Sequence, residues 1–355
     1  MRFNKTALFV ISVIFLFHDC PAFTQDNIPP SNLPVRNKIV VSSASTPFES
    51  NGDLWFSAWA DDDSIFLTWG DGFGVNLHNK PPYSHNGLAL LHGDAPRFKA
   101  EIVKNYMPLS DKKNNSKPTS LLFQNEKLYA AIHYPLLFPN TGFIAYSDDY
   151  GKTFNYNINS PWTKENKSNF ICRIFINMGR DYGLNKDGYV YSFGIGSEIK
   201  WHGPIYLSRV KKDSILNYSA WEYLVEINNE GHPLWDKDQS KAFALPGISS
   251  EMLFSAAYHP GLKRFIILTA NFHSGELYMA RTPWGPWEYV GKWFEGIDSE
   301  WFSSYMPGII PKNMGDNSFY FAVAGREPNK NGHPSDKKYR FRLGKITIIS
   351  NSQQN

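Results

Sequence analysis

The sequence predicts an all-β protein, a five-bladed β-propeller with four-stranded blades. Phe, Trp and Tyr make up 16% of its 355 residues, and aromatic side chains favour strands. Its 26 glycines and 23 prolines supply the many turns that such a fold requires. Segments 205–226 and 277–292 repeat one pattern, in which Tyr and Arg three residues apart precede Trp-Glu-Tyr. Internal repetition of this kind is typical of propellers.

The repeated pattern defines a unit of four strands, and this template fits the chain five times. The first strands of the units are predicted to begin near residues 53, 119, 171, 251 and 303. The fifth unit lacks one strand, and the N-terminal segment 36–45 would complete it and so remove the open edge of the ring. We therefore expect a single domain over residues 36–350. A β-sandwich, the alternative all-β fold, gives no reason for a repeat in fours.

A turn motif supports the same architecture. The segment "SDDYGKTF" (147–154) fits the Asp-box pattern, in which Ser147 and Asp149 hydrogen-bond the turn backbone. Gly151 is expected to take the left-handed conformation, and Phe154 to enter the next strand. The motif indicates a folding device between outer strands rather than a catalytic site.

The N-terminus predicts a signal peptide over residues 1–24. Arg2 and Lys5 precede an apolar run, 7–17, that is too short to span a bilayer. A lipid anchor at Cys20 is disfavoured because "FHDC" lacks the small residues of a lipobox. No later apolar run reaches membrane length, so we expect no transmembrane segment and a secreted or periplasmic protein.

Several functional classes are disfavoured by composition and motifs. A net charge of +3 gives no electrostatic footprint for nucleic acid. The ten histidines show no zinc-binding spacing, and neither a nucleotide-binding glycine loop nor a nucleophile elbow is present. We therefore expect no metal and no cofactor. Cys172, in an apolar segment, is expected to be a small buried side chain.

The starts of the five first strands are the places to look for chemistry, because propellers bind ligands where these strands converge. Two of them carry a carboxylate, Asp53 in unit one and Glu251 in unit four. Such a pair could hydrolyse a glycosidic bond, with one carboxyl group as acid and the other as base or nucleophile. The alternative is that both are solvated loop residues.

Further candidate ligand contacts surround this pair. Asp71 ends the second strand of unit one, and strand reversal returns it to a position beside Asp53. Trp55 and Trp69 are expected near a bound sugar, and Tyr305 begins the first strand of unit five.

Two acidic loops are weaker candidates. Arg180 and Asp181, after the first strand of unit three, are expected to form a loop ion pair or to contact the ligand. The three aspartates 61–63 lie in the turn between the first two strands, where turn formation and solvation explain them. They lack the alternating oxygen ligands of a calcium loop.

The chain resembles a bacterial five-bladed propeller family long known as a domain of unknown function, over roughly residues 45 to 345. Some members of that family are endo-D-arabinanases, glycoside hydrolases that act on mycobacterial arabinan. The segments that carry the resemblance occur in the same order: "GDLWFSAWADDDSIFLTWGDGFG", "NMGRDYGLNKDGYVYSFG", "IYLSRVKKDSILNYSAWEYL", "YHPGLKRFIILTA" and "RTPWGPWEYV".

The resemblance implies roles for the candidate carboxylates. Asp53 corresponds to the aspartate that serves as base in arabinanase-like propellers, and Glu251 would be the acid. The third, pKa-tuning carboxylate of related enzymes has no counterpart, because Thr119 stands in its place. We therefore expect an exported, monomeric glycoside hydrolase that cleaves a furanose-rich, arabinan-like polysaccharide. The alternative is a propeller that binds carbohydrate without cleaving it. A sialidase is disfavoured, because Arg173 and Arg180 do not make the arginine cluster it needs.

Overall fold

The computed structural model describes residues 38–111, 113–134, 140–196, 203–250, 252–326 and 338–349. The regular secondary structure of these residues is almost entirely β, which confirms the all-β prediction. The strands are β1 Lys38–Ser43, β2 Ser50–Asp53, β3 Ser57–Trp59, β4 Ile65–Val75, β5 Gly87–His92, β6 Lys99–Lys104, β7 Lys117–Gln124, β8 Lys127–Tyr134, β9 Thr141–Ser147, β10 Asn155–Tyr156, β11 Cys172–Asn177, β12 Tyr189–Ile195, β13 Gly203–Lys211, β14 Glu222–Ile227, β15 Pro233–Asp236, β16 Ala244–Ser250, β17 Ser255–His259, β18 Arg264–Ala270, β19 Ser274–Ala280, β20 Glu288–Glu295, β21 Ser304–Ile310, β22 Ser318–Gly325 and β23 Arg342–Ile349.

The helices of these described segments are short 3-10 turns: Leu77–Asn79, Arg180–Tyr182, Tyr218–Ala220 and Gln239–Lys241. None of the helices found there is long and apolar enough to cross a lipid bilayer. The signal peptide predicted for residues 1–24, including Cys20, lies outside the described residues. Cys172 is buried as expected, and burial raises the pKa of its thiol to about 12.

The strands pair in groups that follow the order of the sequence. Strands β2 to β6 form one sheet and β7 to β10 form a second. Strands β11 to β20 form a third, in which two antiparallel groups are joined by parallel pairing of β11 with β17. The fourth sheet has the order β1-β23-β22-β21, so that β1 lies against β23 from Lys38↔Ile349 to Ser43↔Gly344. Strands β15 and β16 extend the third unit beyond its predicted four strands.

The predicted first strand of unit one is broken in the middle. Strand β2 ends at Asp53 and β3 begins at Ser57, and Leu54 between them has a φ of 55°. The hydroxyl of Thr68 on β4 donates to the carbonyl of Leu54 at 2.6 Å and accepts from the backbone N–H of Phe56 at 3.2 Å. A buried threonine thus satisfies the backbone groups that the break leaves without ladder partners, as burial requires.

The Asp box forms the turn between β9 and β10. The Ser147 hydroxyl donates to Asp149 at 2.7 Å and accepts from the N–H of Gly151 at 2.8 Å. Asp149 also accepts from the backbone N–H of Thr153 at 2.9 Å. Gly151 has a φ of 84°, a left-handed conformation that glycine adopts without steric cost. The motif therefore has the structural role that the sequence predicts.

A buried lysine joins the first and last sheets. The side chain of Lys312, after β21, is 3% exposed. Its Nζ lies 2.7 Å from the carboxylate of Asp63 and 3.1 Å from that of Asp94, and it donates to the carbonyl of Gly93 at 3.0 Å. Oxygen acceptors from unit one therefore take the place of the water molecules that the ammonium group loses on burial.

We predict that Lys312→Met lowers the free energy of unfolding by about 1 to 3 kcal/mol, because it removes a buried, fully hydrogen-bonded cation. Chemical denaturation would measure the change. Lys292→Met is the matched control, because Lys292 forms an exposed pair with Glu295 and should leave stability nearly unchanged. Equal stability of the two variants would contradict a structural role for the Lys312 contacts.

Candidate active site

Asp53 is the last residue of β2 and opposes Gly70 of β4. Only 6% of the residue is exposed. One carboxylate oxygen, Oδ2, accepts a hydrogen bond of 2.8 Å from the Tyr305 hydroxyl, and the other, Oδ1, is buried without a partner among the described residues. A buried carboxylate oxygen without a protein partner needs a water molecule or a bound group to satisfy it.

Burial raises the pKa of Asp53 to about 6, from an ordinary value of 3.8. The hydrogen bond from Tyr305 opposes this shift, the negative charge of Asp71 adds to it, and the positive charges of Lys117 and Arg326 oppose it. The carboxyl group therefore exchanges its proton close to neutral pH, where a general acid or base is most useful.

Asp71 lies one residue after Gly70 and has the opposite electrostatic environment. Its Oδ1 accepts from Nζ of Lys117, lies 2.6 Å from Nδ1 of His85 and accepts from the Tyr83 hydroxyl at 3.1 Å. Burial by itself would raise the pKa of Asp71, but the charge of Lys117 and the hydrogen bonds from His85 and Lys117 outweigh it. The pKa is therefore held below its usual value, and Asp71 stays ionised.

Lys117 hydrogen-bonds Asp71, and its charge acts on both carboxyl groups. It is the first residue of β7 and its side chain is 12% exposed. Burial lowers the pKa of its ammonium group below the ordinary value. The negative charges of Asp71 and Asp53 oppose this shift only in part. Two neighbouring carboxyl groups with pKa values moved in opposite directions are the pattern found where one group transfers a proton and the other stays charged.

Tyr305, on β21, closes the site from the last sheet. It is 3% exposed, and its ring lies 4.7 Å from that of Phe272. The Arg326 guanidinium lies 5.9 Å from the same ring, and the Tyr339 hydroxyl donates to the backbone carbonyl of Asp71 at 3.0 Å. The site thus combines residues from the first, second and last sheet units.

Sequence reasoning brought Asp53, Asp71 and Tyr305 to this region but missed its other polar members, Tyr83, His85, Lys117, Arg326 and Tyr339. Lys117 had a detectable signal, since it lies two residues before the predicted start of a first strand. Tyr83 and His85 come from the loop between β4 and β5, and no motif marks them.

Trp55 and Trp69 differ from the expectation that they contact a sugar. Both are fully buried at 0% exposure. A methyl group added to Gly87 would lie 2.1 Å from the Trp69 ring, so the ring fills the space that this glycine leaves empty. Trp55 packs edge-on against Phe341 at 5.6 Å. Both rings belong to the hydrophobic core that supports the site.

Arg180 and Asp181 also differ from expectation, because they lie at the other end of β4. The Arg180 guanidinium donates to the carbonyl of Asp61, with Nε at 2.8 Å, and Asp181 accepts from the N–H of Asn125 at 2.7 Å. Asp61 belongs to the turn before Ile65, and Ile65 and Asp71 are six positions apart on the strand, which corresponds to about 20 Å. These two residues therefore do not join the cluster around Asp53.

The aspartates 61–63 have the turn role that the sequence predicts. Asp62 accepts from the backbone N–H of Ser64 at 3.0 Å, and Asp63 accepts from Nε1 of Trp59 at 3.0 Å. Across the described segments, no group of three His, Cys, Asp or Glu side chains is arranged to hold a metal ion. Glu251 lies outside the described residues, and its role as acid stays a prediction.

The fold and the site thus define an all-β protein that holds a buried, proton-exchanging aspartate beside an ionised one. The chain belongs to the family described as "Domain of unknown function (DUF4185)", which matches residues 50–328. No curated protein sequence matches it.

Solved structures with a similar fold include a proposed hydrolase and an arabinofuranosidase, both at low sequence identity. A proposed hydrolase from Bacteroides ovatus has a TM-score of 0.55 at 14% identity, over 90% of this chain and 93% of that one. The alpha-L-arabinofuranosidase from Podospora anserina, in complex with cellotriose, has a TM-score of 0.51 at 12% identity, over 90% and 98%. These similarities establish the fold.

We predict that Asp53→Asn stabilises the protein at pH 7 to 8. The folded state holds the Asp53 proton more tightly than the unfolded state, so this group favours folding most below pH 3.8 and loses that contribution as pH rises through about 6. A neutral amide avoids the loss, which amounts to at most about 3 kcal/mol. Thermal unfolding of Asp53→Asn and the wild type at pH 4.5 and pH 8 would measure this difference in stability. An Asp53→Asn variant whose stability relative to the wild type is no higher at pH 8 than at pH 4.5 would contradict the raised pKa.

Proposed function

We propose that this protein is an exported, monomeric glycoside hydrolase that cleaves a furanose-rich, arabinan-like polysaccharide. The observation that carries the proposal is the paired environment of Asp53 and Asp71, one buried with a raised pKa and the other held ionised by Lys117 and His85. Carboxyl groups with separated pKa values are the usual apparatus of glycoside hydrolysis.

The relatives support this chemistry. One structure with the same fold is an arabinofuranosidase in complex with cellotriose, and some members of the family that the sequence resembles are endo-D-arabinanases. In this proposal the five successive strand groups are blades around a central channel, and β1 closes the last blade by pairing with β23. Asp53, Asp71 and Tyr305 then lie at one mouth of that channel.

The proposed reaction is a displacement by water. In this proposal Oδ1 of Asp53, which has no partner among the described residues, accepts a proton from a water molecule that enters the site with the substrate. The water oxygen bonds to the anomeric carbon as the glycosidic bond breaks, and the carboxylic acid of Glu251 gives its proton to the leaving oxygen. Asp71 and Lys117 hydrogen-bond sugar hydroxyl groups and set the charge around Asp53.

A panel of polysaccharides tests the function. Purified protein is incubated with arabinans, xylans and glucans, and the released sugars are separated by chromatography. Release from arabinan alone supports the proposed substrate class. Binding to the polysaccharide without release would instead favour the carbohydrate-binding alternative, and release from a pyranose polymer alone would contradict the furanose specificity.

We predict that Asp53→Asn and Glu251→Gln each lower kcat by at least about a hundredfold, because each removes a proton-transfer group. Steady-state kinetics on the cleaved polysaccharide would measure the loss. Asp148→Asn is the control, since Asp148 forms an exposed pair with Lys127 and its circular dichroism and rate should match the wild type. Full activity of either test variant would remove that residue from the mechanism.

The pH profile tests the role of Asp53 as a base. A base must be ionised, so kcat/KM should fall as pH drops below about 6, the pKa of Asp53. Tyr305→Phe removes the hydrogen bond that lowers this pKa and should therefore move the acid limb to higher pH. Tyr289→Phe, at an exposed tyrosine of β20, should leave the limb in place. If Tyr305→Phe instead moved an alkaline limb, along which kcat/KM falls as pH rises above about 6, Asp53 would be the acid.

A further inference from the structure

A groove of about 700 Å³ is lined by residues of the two strands that carry Asp53 and Asp71, Ser50 and Asn51 of β2 and Phe73 of β4. It runs between the chain that leads into β2 and the far end of β4, and Arg340 borders it. Its size lies within the range of small-molecule binding sites. The residues that line it are Thr46, Pro47, Phe48, Glu49, Ser50, Asn51, Phe73, Leu77 and Arg340.

Phe73 links the groove to the strand that carries Asp71. It lines the groove and stands two residues after Asp71 on β4. Asp71 and Phe73 are the two positions of β4 that are not buried, and Phe73 is 44% exposed. Together with the exposed Tyr83 it forms a contiguous aromatic patch, the kind of exposed surface that marks ligand-binding grooves.

The exposed aromatic surface is continuous with the proposed catalytic site. The Phe73 ring meets that of Tyr83 edge-to-face at 5.8 Å, and Tyr83 is itself 43% exposed. The Tyr83 hydroxyl donates to the carboxylate of Asp71 at 3.1 Å. Asn51 accepts from the backbone N–H of Phe73 at 3.3 Å, which holds this part of the strand against β2.

The groove has the mixed chemistry that carbohydrates require. Phe73 and Phe48 provide flat apolar surface for the C–H faces of sugar rings, and Glu49, Asn51 and Arg340 provide charged and amide groups for hydroxyls. A wholly apolar ligand would leave those polar groups without partners, and an anionic one would meet Glu49.

We propose that this groove binds further sugar residues of the same polysaccharide chain whose bond is cut at Asp53, with Phe73 as the stacking platform that joins the two regions. The inference rests on the proposed function for the identity of the chain. Its consequence is that affinity and rate increase with the length of the substrate.

The test compares Phe73→Ala with Phe73→Tyr, which keeps the ring, and with Tyr289→Ala, which removes an exposed aromatic side chain from the distant strand β20. The probes are D-arabinan and a D-arabinose disaccharide. We expect Phe73→Ala to lower the ratio of kcat/KM for the polymer to that for the disaccharide about tenfold, through a raised KM for the polymer. Phe73→Tyr should keep the ratio at its wild-type value, and Tyr289→Ala should not change it.

Binding is measured separately in the Asp53→Asn protein, by retardation in gels that contain each polysaccharide of the panel. Phe73→Ala should weaken retardation about tenfold in this background. If the protein cleaves the polymer but Phe73→Ala leaves the polymer-to-disaccharide ratio of kcat/KM unchanged, the proposed role of the groove is wrong and the proposed function is unaffected. Retardation that depends on Phe73, in a protein that cleaves nothing, would uphold the groove and overturn the hydrolase. Absence of retardation by every polysaccharide would overturn the groove.

Discussion

The continuity of β4 is the constraint on which the site depends. This strand runs unbroken from Ile65 to Val75, whereas its partner is divided into β3 and β2. Thr68 bridges the gap by hydrogen-bonding Leu54 and Phe56. Asp53 is the last paired residue before the break and lies buried opposite Gly70, and β4 places Asp71 next to Gly70. One strand thus fixes the spacing of both carboxyl groups, and a site built on a strand is more precise than one built on loops.

The two aspartates have different hydrogen-bond donors: Asp71 has a cation and Asp53 a neutral hydroxyl group. Lys117 hydrogen-bonds Asp71 and not Asp53, so the nearest cation holds only one of the two carboxylates in its ionised form. Asp53 receives a neutral donor, Tyr305, which costs less to bury than a charge. A direct Lys117–Asp53 pair would have lowered the pKa of Asp53 and removed its capacity to exchange a proton near neutral pH.

The sequence predicted the strand order well because period-two patterns and turn residues are local signals. The predicted strands lie within a few residues of their expected positions, apart from the break after Asp53 and the unpredicted β15 and β16. Counting strand ends also brought Asp53, Asp71 and Tyr305 to one region. Lys117, Tyr83 and Arg326 were missed because their roles depend on contacts between distant segments. The expectation that Trp55 and Trp69 contact a ligand is wrong because composition cannot distinguish a buried aromatic ring from an exposed one.

The buried tryptophans explain how an exposed phenylalanine is tolerated nearby. Trp69 occupies the space above Gly74 and Gly87, where any side chain would collide with its ring. This packing anchors β4 in the core at Trp69, two residues before Asp71. Asp71 and Phe73 are the two positions of the strand that are not buried, so what they contact can be set by a ligand instead of by folding. A strand that is held by the packing of one segment is a suitable place for a binding surface on the segment that follows, and the groove beside Phe73 begins there.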